Sequence, residues 1–221
     1  MERSPGIEPH PLEEVANSLT HGLGLCLSIA GLVMLVVLAA QRGTAWHIVA
    51  CSVYGASLVL VYTASTLYHA IRHPRIKNVF RVFDHSAIFL LIAGTYTPFA
   101  LVTLRGGWGW SLLGTVWGLA ILGIIFKAIW NDGFHAGFVG LYILMGWLAI
   151  IAVRPLFAAL SWSGMSWLLA GGVLYTLGVP FYASRKLPFG HSIWHGFVMG
   201  GSACHFCAVW LYVLPHGTGL L

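Results

Sequence analysis

The sequence predicts an all-α membrane protein, a bundle of seven transmembrane helices, and three observations support this fold class. Of 221 residues, 58% are hydrophobic and only 8% are charged, whereas water-soluble domains carry about 25% charged residues. The apolar residues form seven runs, each long enough to cross ~30 Å of hydrocarbon as a helix. The runs are continuous rather than alternating, and lipid cannot satisfy exposed backbone groups, so helices are predicted rather than a barrel.

Short stretches rich in glycine, proline or charge separate the runs, as is typical of breaks between helices. We place the runs at residues 22–40, 46–70, 83–103, 109–129, 135–153, 164–184 and 191–214. The predicted breaks are Gln41 to Gly43, Arg72 to Arg81, Arg105 to Gly107, Asn131 to Gly133, Arg154 with Pro155, and Arg185 to Gly190. Residues 22–214 therefore form one predicted transmembrane domain, followed by a short extracytoplasmic tail over residues 215–221.

The predicted segment ahead of the first run covers residues 1–21 and is cytoplasmic. Residues 1–12 are polar and rich in proline, which indicates a loosely held tail. Residues 13–21, with the sequence EEVANSLTH, could form a short interfacial helix that leads into the membrane. A signal peptide begins with basic and then apolar residues, so we expect the first apolar run to belong to the mature protein.

The distribution of lysine and arginine predicts how the bundle is oriented, because cytoplasmic loops carry an excess of these residues. One side of the membrane takes eight of the 11 basic residues: Arg3, Arg72, Arg75, Lys77, Arg81, Lys127, Arg185 and Lys186. The other side takes three: Arg42, Arg105 and Arg154. The N-terminus is therefore predicted to be cytoplasmic. Since the formal charge of +5 arises from these short loops, nucleic acid is not an expected partner, and membrane lipids are.

Cysteine and glycine residues in the runs are interpreted as packing residues. The four cysteines all lie in apolar runs, unlike the exposed pairs of a disulfide framework. Cys204 and Cys207 fall on roughly the opposite helical face from His191, which argues against them as ligands of a shared metal. Small residues at helical spacing allow close helix packing in lipid, and this pattern occurs at Gly114, Gly118, Gly133, Gly137 and Gly140.

Two histidines in the last run have the spacing of a metal-binding pair. His191 and His195 are four residues apart, which places them on one helical face about 40° apart around the axis. Both imidazoles can therefore reach one ion. Ser202 and His205 continue the same face, but His205 lies about 15 Å further along the helix than His195. That distance is too long for one set of ligands.

The predicted order of membrane crossings places further polar residues at the same membrane depth as His191 and His195. His69 lies near the cytoplasmic end of the second run, and Ser65 shares its helical face. Asp84 opens the third run on the same side of the membrane. Ionisable residues within a membrane usually mark function or a paired partner. The remaining intramembrane histidines are interpreted as packing residues: His21, His47, His85, His135 and His205.

Three neutral imidazoles leave one open position in a tetrahedral zinc site, which is the arrangement found in catalytic centres. The predicted zinc ligands are His69, His191 and His195. A carboxylate beside the metal could hold a water molecule or accept its proton, and Asp84 is suited to that role. Ser65 could donate a hydrogen bond to the water or to a substrate carbonyl. Both are therefore candidate catalytic residues.

Several stretches resemble the bacterial haemolysin III family, which is related to the progestin and adipoQ receptors and more distantly to alkaline ceramidases. They are EEVANSLTHG (13–22), STLYH (65–69), FDHSAIFLLIAGTYTPF (83–99), LYILMGWLAI (141–150) and HSIWHGFVMGGSACHF (191–206). The resemblance implies a seven-helix bundle in the bacterial inner membrane with a cytoplasmic N-terminus. It also implies zinc on His69, His191 and His195, with Ser65 and Asp84 beside the metal and Asp84 acting through water.

Three functions stay open at this point. The related receptors and ceramidases suggest a zinc-dependent hydrolase of lipid amide or ester bonds, although a fold does not fix a substrate. The alternative is a receptor-like regulator that senses the state of the membrane and holds zinc structurally. A lytic or conducting protein is the third function, and it is disfavoured because several helices lack a polar stripe. Neither the substrate nor the oligomeric state is predicted.

Overall fold

The computed structural model describes residues 11–130, 135–184 and 186–215. Within these ranges the chain is helical and contains no strand. The helices are α1 (Pro11–Arg42), α2 (Ala45–Ala70), α3 (Pro74–Pro98), α4 (Gly107–Ile129), α5 (His135–Trp147), α6 (Val153–Ala183) and α7 (Gly190–Tyr212). The tail was predicted over residues 1–12, but Pro11 and Leu12 belong to α1. Residues 1–10, the predicted turn Asn131 to Gly133, Arg185 and residues 216–221 lie outside the described residues.

Helix α1 is longer than the first apolar run. It begins at Pro11 and continues without a break to Arg42, so the short helix expected over residues 13–21 is part of α1. Its buried face is mostly small or polar and includes Asn17, His21 and Ser28, with Leu35 as the large apolar exception. Its exposed face carries large apolar side chains such as Leu19, which is 69% exposed. An apolar exterior around a polar interior is the pattern expected of a helix in lipid.

Helix α3 also begins earlier than the apolar run predicts. The stretch Arg72 to Arg81 was expected to be a loop, but α3 begins at Pro74 and includes most of it. Proline is favoured in the first turn of a helix, where its missing N–H costs nothing. Hydropathy locates only the part of a helix that crosses lipid, so the basic first turns of α3 were missed. At its other end, α3 passes into a π-helical turn over Phe99–Thr103.

Helix α6 differs from the predicted run in the same way. The run was placed at residues 164–184, with a break at Arg154 and Pro155, but α6 begins at Val153. Pro155 lies in the first turn and is compatible with helix there. The actual interruption is at Ser161, whose φ of 58° is not helical. The residues after Ser161 correspond to the predicted run.

Five stretches of the described residues are long and apolar enough to cross a membrane: Pro11–Arg42, Ala45–Ala70, Pro74–Thr103, Gly107–Ile129 and Ala136–Ala183. The last stretch has 48 residues and contains two helices, α5 and α6, with a 3₁₀ turn at Leu148–Ala152 between them. Helix α7 is outside this set because histidine, serine and glycine reduce its hydropathy. The fold is therefore an all-helical integral membrane protein, and the count of seven crossings stays a prediction.

Packing between helices closes most of the bundle into a ring. Helix α1 packs against both α2 and α7, α2 packs against α3, and α6 packs against α7. Helix α5 contacts α3 and α6 and completes the ring, while α4 packs mainly on the outside of α3. The first and last helices are therefore neighbours. This arrangement places the end of α2 beside the beginning of α7.

Candidate metal centre

Three histidine side chains converge at one end of the bundle. His69 lies at the end of α2, and His191 and His195 lie one turn apart at the start of α7. One ligand atom from each lies within 4.8 Å of the other two. The Nε2 atoms of all three are buried and have no hydrogen-bond partner among the described residues. Three buried nitrogen atoms that face one another could together hold a metal ion.

The orientation of His69 is set by a residue of α1. Its Nδ1 lies 2.6 Å from Oε2 of Glu14, and Lys77 donates to the other oxygen of Glu14 at 3.0 Å. Because a carboxylate accepts hydrogen bonds, Nδ1 of His69 carries the proton and Nε2 is left with its lone pair. Histidines that bind metals are commonly oriented by a carboxylate in this way. Glu14 therefore prepares His69 to be a ligand.

His195 is oriented by a second residue of α1. Its Nδ1 lies 3.1 Å from the hydroxyl oxygen of Thr20. The Thr20 hydroxyl lies 2.9 Å from the carbonyl oxygen of Ala16 and 3.0 Å from that of Asn17, to which it donates its only proton. It must then accept from Nδ1 of His195, so that Nε2 of His195 also keeps a free lone pair. His195 is completely buried, and this contact holds its ring in place.

Asp84 and Ser65 lie next to the three histidines, one on α3 and one on α2. Both are buried, at 5% and 1% exposure. The Ser65 side chain faces the carboxyl group of Asp84, which also interacts electrostatically with His69 and with the buried Lys127 of α4. The Ser65 hydroxyl oxygen makes no hydrogen bond of ordinary geometry within the described residues. The fold thus brings together all five residues singled out in the sequence.

His21 is part of this site, although it was interpreted as a packing residue. Its ring stacks on that of His195, with centroids 3.4 Å apart and planes inclined by 14°. The side chain is 2% exposed, and neither ring nitrogen has a hydrogen-bond partner in the described part of the chain. A buried imidazole without partners is costly. His21 is therefore a candidate contact for a bound molecule rather than a satisfied core residue.

Sequence reasoning missed Glu14 and Thr20 as site residues, because the N-terminal 21 residues were assigned to a tail and a short interfacial helix, and it interpreted His21 as a packing residue. A signal was available. Glu14, Asn17 and His21 are spaced i, i+3, i+7, which places them on one face of a helix. Asn17 also accepts a hydrogen bond from the Ser192 hydroxyl at 2.6 Å. The polar face of α1 therefore contacts both histidine-bearing helices.

An apolar cavity of about 150 Å³ extends from this site into the bundle. Asp84 and His21 line it at the metal end, and its walls come mainly from α3, α5, α6 and α7. A second cavity of about 160 Å³ shares Thr95, Tyr96, Trp147 and His205 with the first. The two cavities are therefore neighbours along the bundle. Together they form an apolar space that ends at the polar site.

The cysteines take no part in the site. All four are free thiols, and the interpretation as packing residues is confirmed for the buried Cys51 but is wrong for Cys26. Cys26 is exposed, and Cys51 is completely buried in the core beside Tyr54.

Comparison with known proteins covers nearly the whole chain. The profile of the family described as "Haemolysin-III related" matches residues 10–206. "Hemolysin-3" of Bacillus cereus is 54% identical over 203 residues, which is 92% of this chain and 93% of that protein. "Hemolysin-3 homolog" of Bacillus subtilis (strain 168) is 50% identical over 200 residues, covering 90% and 94%.

A more distant relative is similar over an even longer stretch. "Monocyte to macrophage differentiation factor" of Homo sapiens is 27% identical over 220 residues, which is 97% of this chain and 90% of that protein. The match to the family profile includes α1, α2 and α3 and extends through His191 and His195 of α7. The chain therefore belongs to the haemolysin III family.

Proposed function

We propose that this protein is a zinc-dependent hydrolase of lipid amide or ester bonds, working within the membrane near its cytoplasmic face. One observation carries the proposal. Three buried and unpartnered histidine nitrogens face one another beside an apolar cavity lined by Asp84. An apolar cavity with a few convergent polar groups at one end is the usual form of a site for an amphiphile.

The proposal includes the membrane topology. Seven helices would cross the bilayer of the bacterial inner membrane, with the N-terminus in the cytoplasm. The excess of basic residues on one side supports this orientation. Helix α7 would be stable in lipid despite its polar residues, because its histidines and serines face the interior of the bundle and contact α1 and α2.

Zinc is the ion that we assign to His69, His191 and His195. Three neutral imidazoles suit zinc, and an open fourth position suits catalysis. When bound, zinc would act as a Lewis acid that activates a water molecule and polarises a carbonyl group. Glu14 and Thr20 would fix the tautomers of His69 and His195, so that both rings present Nε2 to the ion.

Asp84 would accept the proton of the attacking water, since it is the carboxylate beside the histidines that also lines the cavity. Ser65 would donate a hydrogen bond to the oxyanion that develops on the substrate carbonyl. The apolar cavity would hold the acyl chain and exclude bulk water from the reacting bond.

The first test is the metal content of the purified full chain in detergent, measured by elemental mass spectrometry. We expect about one zinc per wild-type chain and its loss in the double variant His191→Ala/His195→Ala, with both proteins folded. The Asp84→Ala variant should keep zinc and lose turnover of lipid amides or esters, whereas a Glu13→Ala control should keep both. A folded wild-type protein without metal would contradict the zinc assignment.

A second candidate is a receptor-like regulator in which zinc is structural. The observation that favours it is that three helices meet at the site. The histidines come from α2 and α7, and the residues that orient them, Glu14 and Thr20, come from α1. A structural ion would hold these helices together. This candidate predicts bound zinc without turnover of any lipid, and loss of helix packing when the metal is removed.

A further inference from the structure

His205 of α7 lines the apolar space, and one of its ring nitrogens can accept a hydrogen bond but has no donor among the described residues. Its Nε2 lies 3.2 Å from the carbonyl oxygen of Leu168 on α6. A carbonyl oxygen can only accept, so Nε2 carries the proton and Nδ1 is left with a lone pair. Nδ1 is buried and has no hydrogen-bond partner among the described residues.

The His205 ring is held in this position by close packing. Gly171 of α6 has no side chain, and a Cβ added there would overlap the ring of His205. The ring therefore lies directly against the backbone of α6. Tyr175 packs on it from the same helix, with ring centroids 5.6 Å apart. His205 cannot easily turn its free nitrogen towards another protein group.

Other polar side chains around the two cavities already have partners. Thr95 donates to the carbonyl oxygen of Leu91 at 2.8 Å. The Tyr96 hydroxyl donates to a carbonyl of α5 and accepts from the backbone N–H of Ala149 at 2.9 Å. Thr176 likewise donates to the carbonyl of Gly172 and accepts from the indole N–H of Trp147. These groups therefore have no need of a ligand.

His205 lines both cavities, and the buried unpartnered atoms on cavity-lining residues of the described chain belong to His21 and His205. His21 lies at the metal end. His205 lies ten residues after His195 on α7, which is about 15 Å along the helix. The apolar space thus has polar groups at its metal end and, about 15 Å away, the buried and unpartnered Nδ1 of His205.

We propose that His205 is a specificity-determining residue that selects an acyl chain bearing a hydroxyl group about 15 Å from its polar head. The hydroxyl would donate to Nδ1 of His205, while the head would lie at the metal end beside His21. The inference rests on the proposed function only in that a lipid occupies the cavity. It does not depend on hydrolysis. A plain hydrocarbon chain would leave Nδ1 buried and unsatisfied, which is unfavourable.

The test is a competition between stearic acid and a mid-chain hydroxystearic acid for the full chain in detergent micelles. The ratio of the two acids recovered with the protein is divided by the ratio in protein-free micelles. We expect the wild type to enrich the hydroxylated acid roughly fivefold to tenfold, as one net hydrogen bond predicts. The His205→Phe variant should show no enrichment. The His47→Phe control makes the same substitution at a histidine that lines neither cavity, and it should retain the enrichment.

A second competitor tests the distance. Alpha-hydroxystearic acid carries its hydroxyl beside the head group, and its recovery should be unchanged by His205→Phe. Equal recovery of stearic and mid-chain hydroxystearic acids by the wild type would overturn the inference, since water would then satisfy His205. Enrichment that persists in His205→Phe would also overturn it. Recovery of neither acid would overturn both this inference and the lipid cavity of the proposed function.

Discussion

The carboxylate of Glu14 and the imidazole of His69 lie 2.6 Å apart, although 55 residues separate them in the sequence. This contact joins the beginning of α1 to the end of α2. It also leaves Nε2 of His69 free to bind an ion. The ligand properties of His69 therefore depend on a residue that belongs to neither histidine-bearing helix.

Replacement of Glu14 tests this dependence. In Glu14→Ala, we expect metal affinity to fall by about tenfold to a hundredfold, as is usual when a carboxylate behind a metal-binding histidine is removed. Affinity is measured by competition with a chelator of known strength. Glu13→Ala is the matched control and should behave as the wild type. Equal affinity in all three proteins would contradict the role of Glu14.

Thr20 permits a finer test of His195. The Thr20→Val variant keeps the shape of the side chain but removes the hydroxyl that accepts from Nδ1 of His195, for which the backbone of Asn17 is the other hydrogen-bonding contact. The loss of one hydrogen bond costs about 0.5–1.5 kcal/mol, so both metal affinity and thermal stability should fall. Thr20→Ser keeps the hydroxyl and should stay close to the wild type. The prediction is wrong if the valine and serine variants cannot be distinguished by chelator competition and thermal unfolding.

The cavity can be filled without touching the histidines. Gly172 lines both cavities, and the nearest atoms to a Cβ built there are those of Trp147, at 3.7 Å. Gly172→Leu should occupy the space of the acyl chain, so that lipid binding is lost while zinc is retained. In Gly196→Leu the new side chain projects into open space, and both properties should persist. Loss of zinc together with lipid in Gly172→Leu alone would indicate that the site is not independent of the cavity.

Helix α2 packs closely on α3, and this packing positions His69 relative to Asp84. The close approach is possible because Gly94 of α3 has no side chain. A Cβ at Gly94 would lie 2.6 Å from Cβ of Ser57, so Gly94→Ala should force the helices apart. Overpacking of this kind costs about 1–3 kcal/mol, which should lower the unfolding temperature in detergent. A Cβ at Gly118 meets nothing within 4 Å, and Gly118→Ala is the control. Equal unfolding temperatures would show that α2 and α3 adjust freely.

These glycines also show the limits of sequence reasoning. Gly114, Gly118 and Gly140 have the helical spacing of packing residues, yet each has open space where a Cβ would be. The interpretation of these three as packing contacts within the chain is therefore wrong. The close approaches occur at other glycines, including Gly94 and Gly171, and Gly171 lies seven residues from each of two further buried glycines of α6, Gly164 and Gly178. Spacing along a helix does not show which face meets a neighbour, because that depends on the tertiary arrangement.

The histidine cluster, in contrast, could be predicted from helix geometry and topology. His191 and His195 share a face through helix geometry alone, and the alternation of crossings brings His69 to the same end of the bundle. Glu14 and Thr20 could not be placed by hydropathy, because α1 extends beyond its apolar run. His205 was assigned to packing, and only the contact with Leu168 reveals which of its nitrogens is free. Such partners become evident once the helices are packed.

The proximity of α1 to α7 has a consequence for biosynthesis. Glu14 and Thr20, which orient the candidate ligands, leave the ribosome before His191 and His195, since 175 residues separate Thr20 from His195. An ion that needs all three histidines can bind only after α7 has entered the bundle beside α1. Metal loading would then report that membrane insertion is complete, and chains that stall before α7 would stay without their ion.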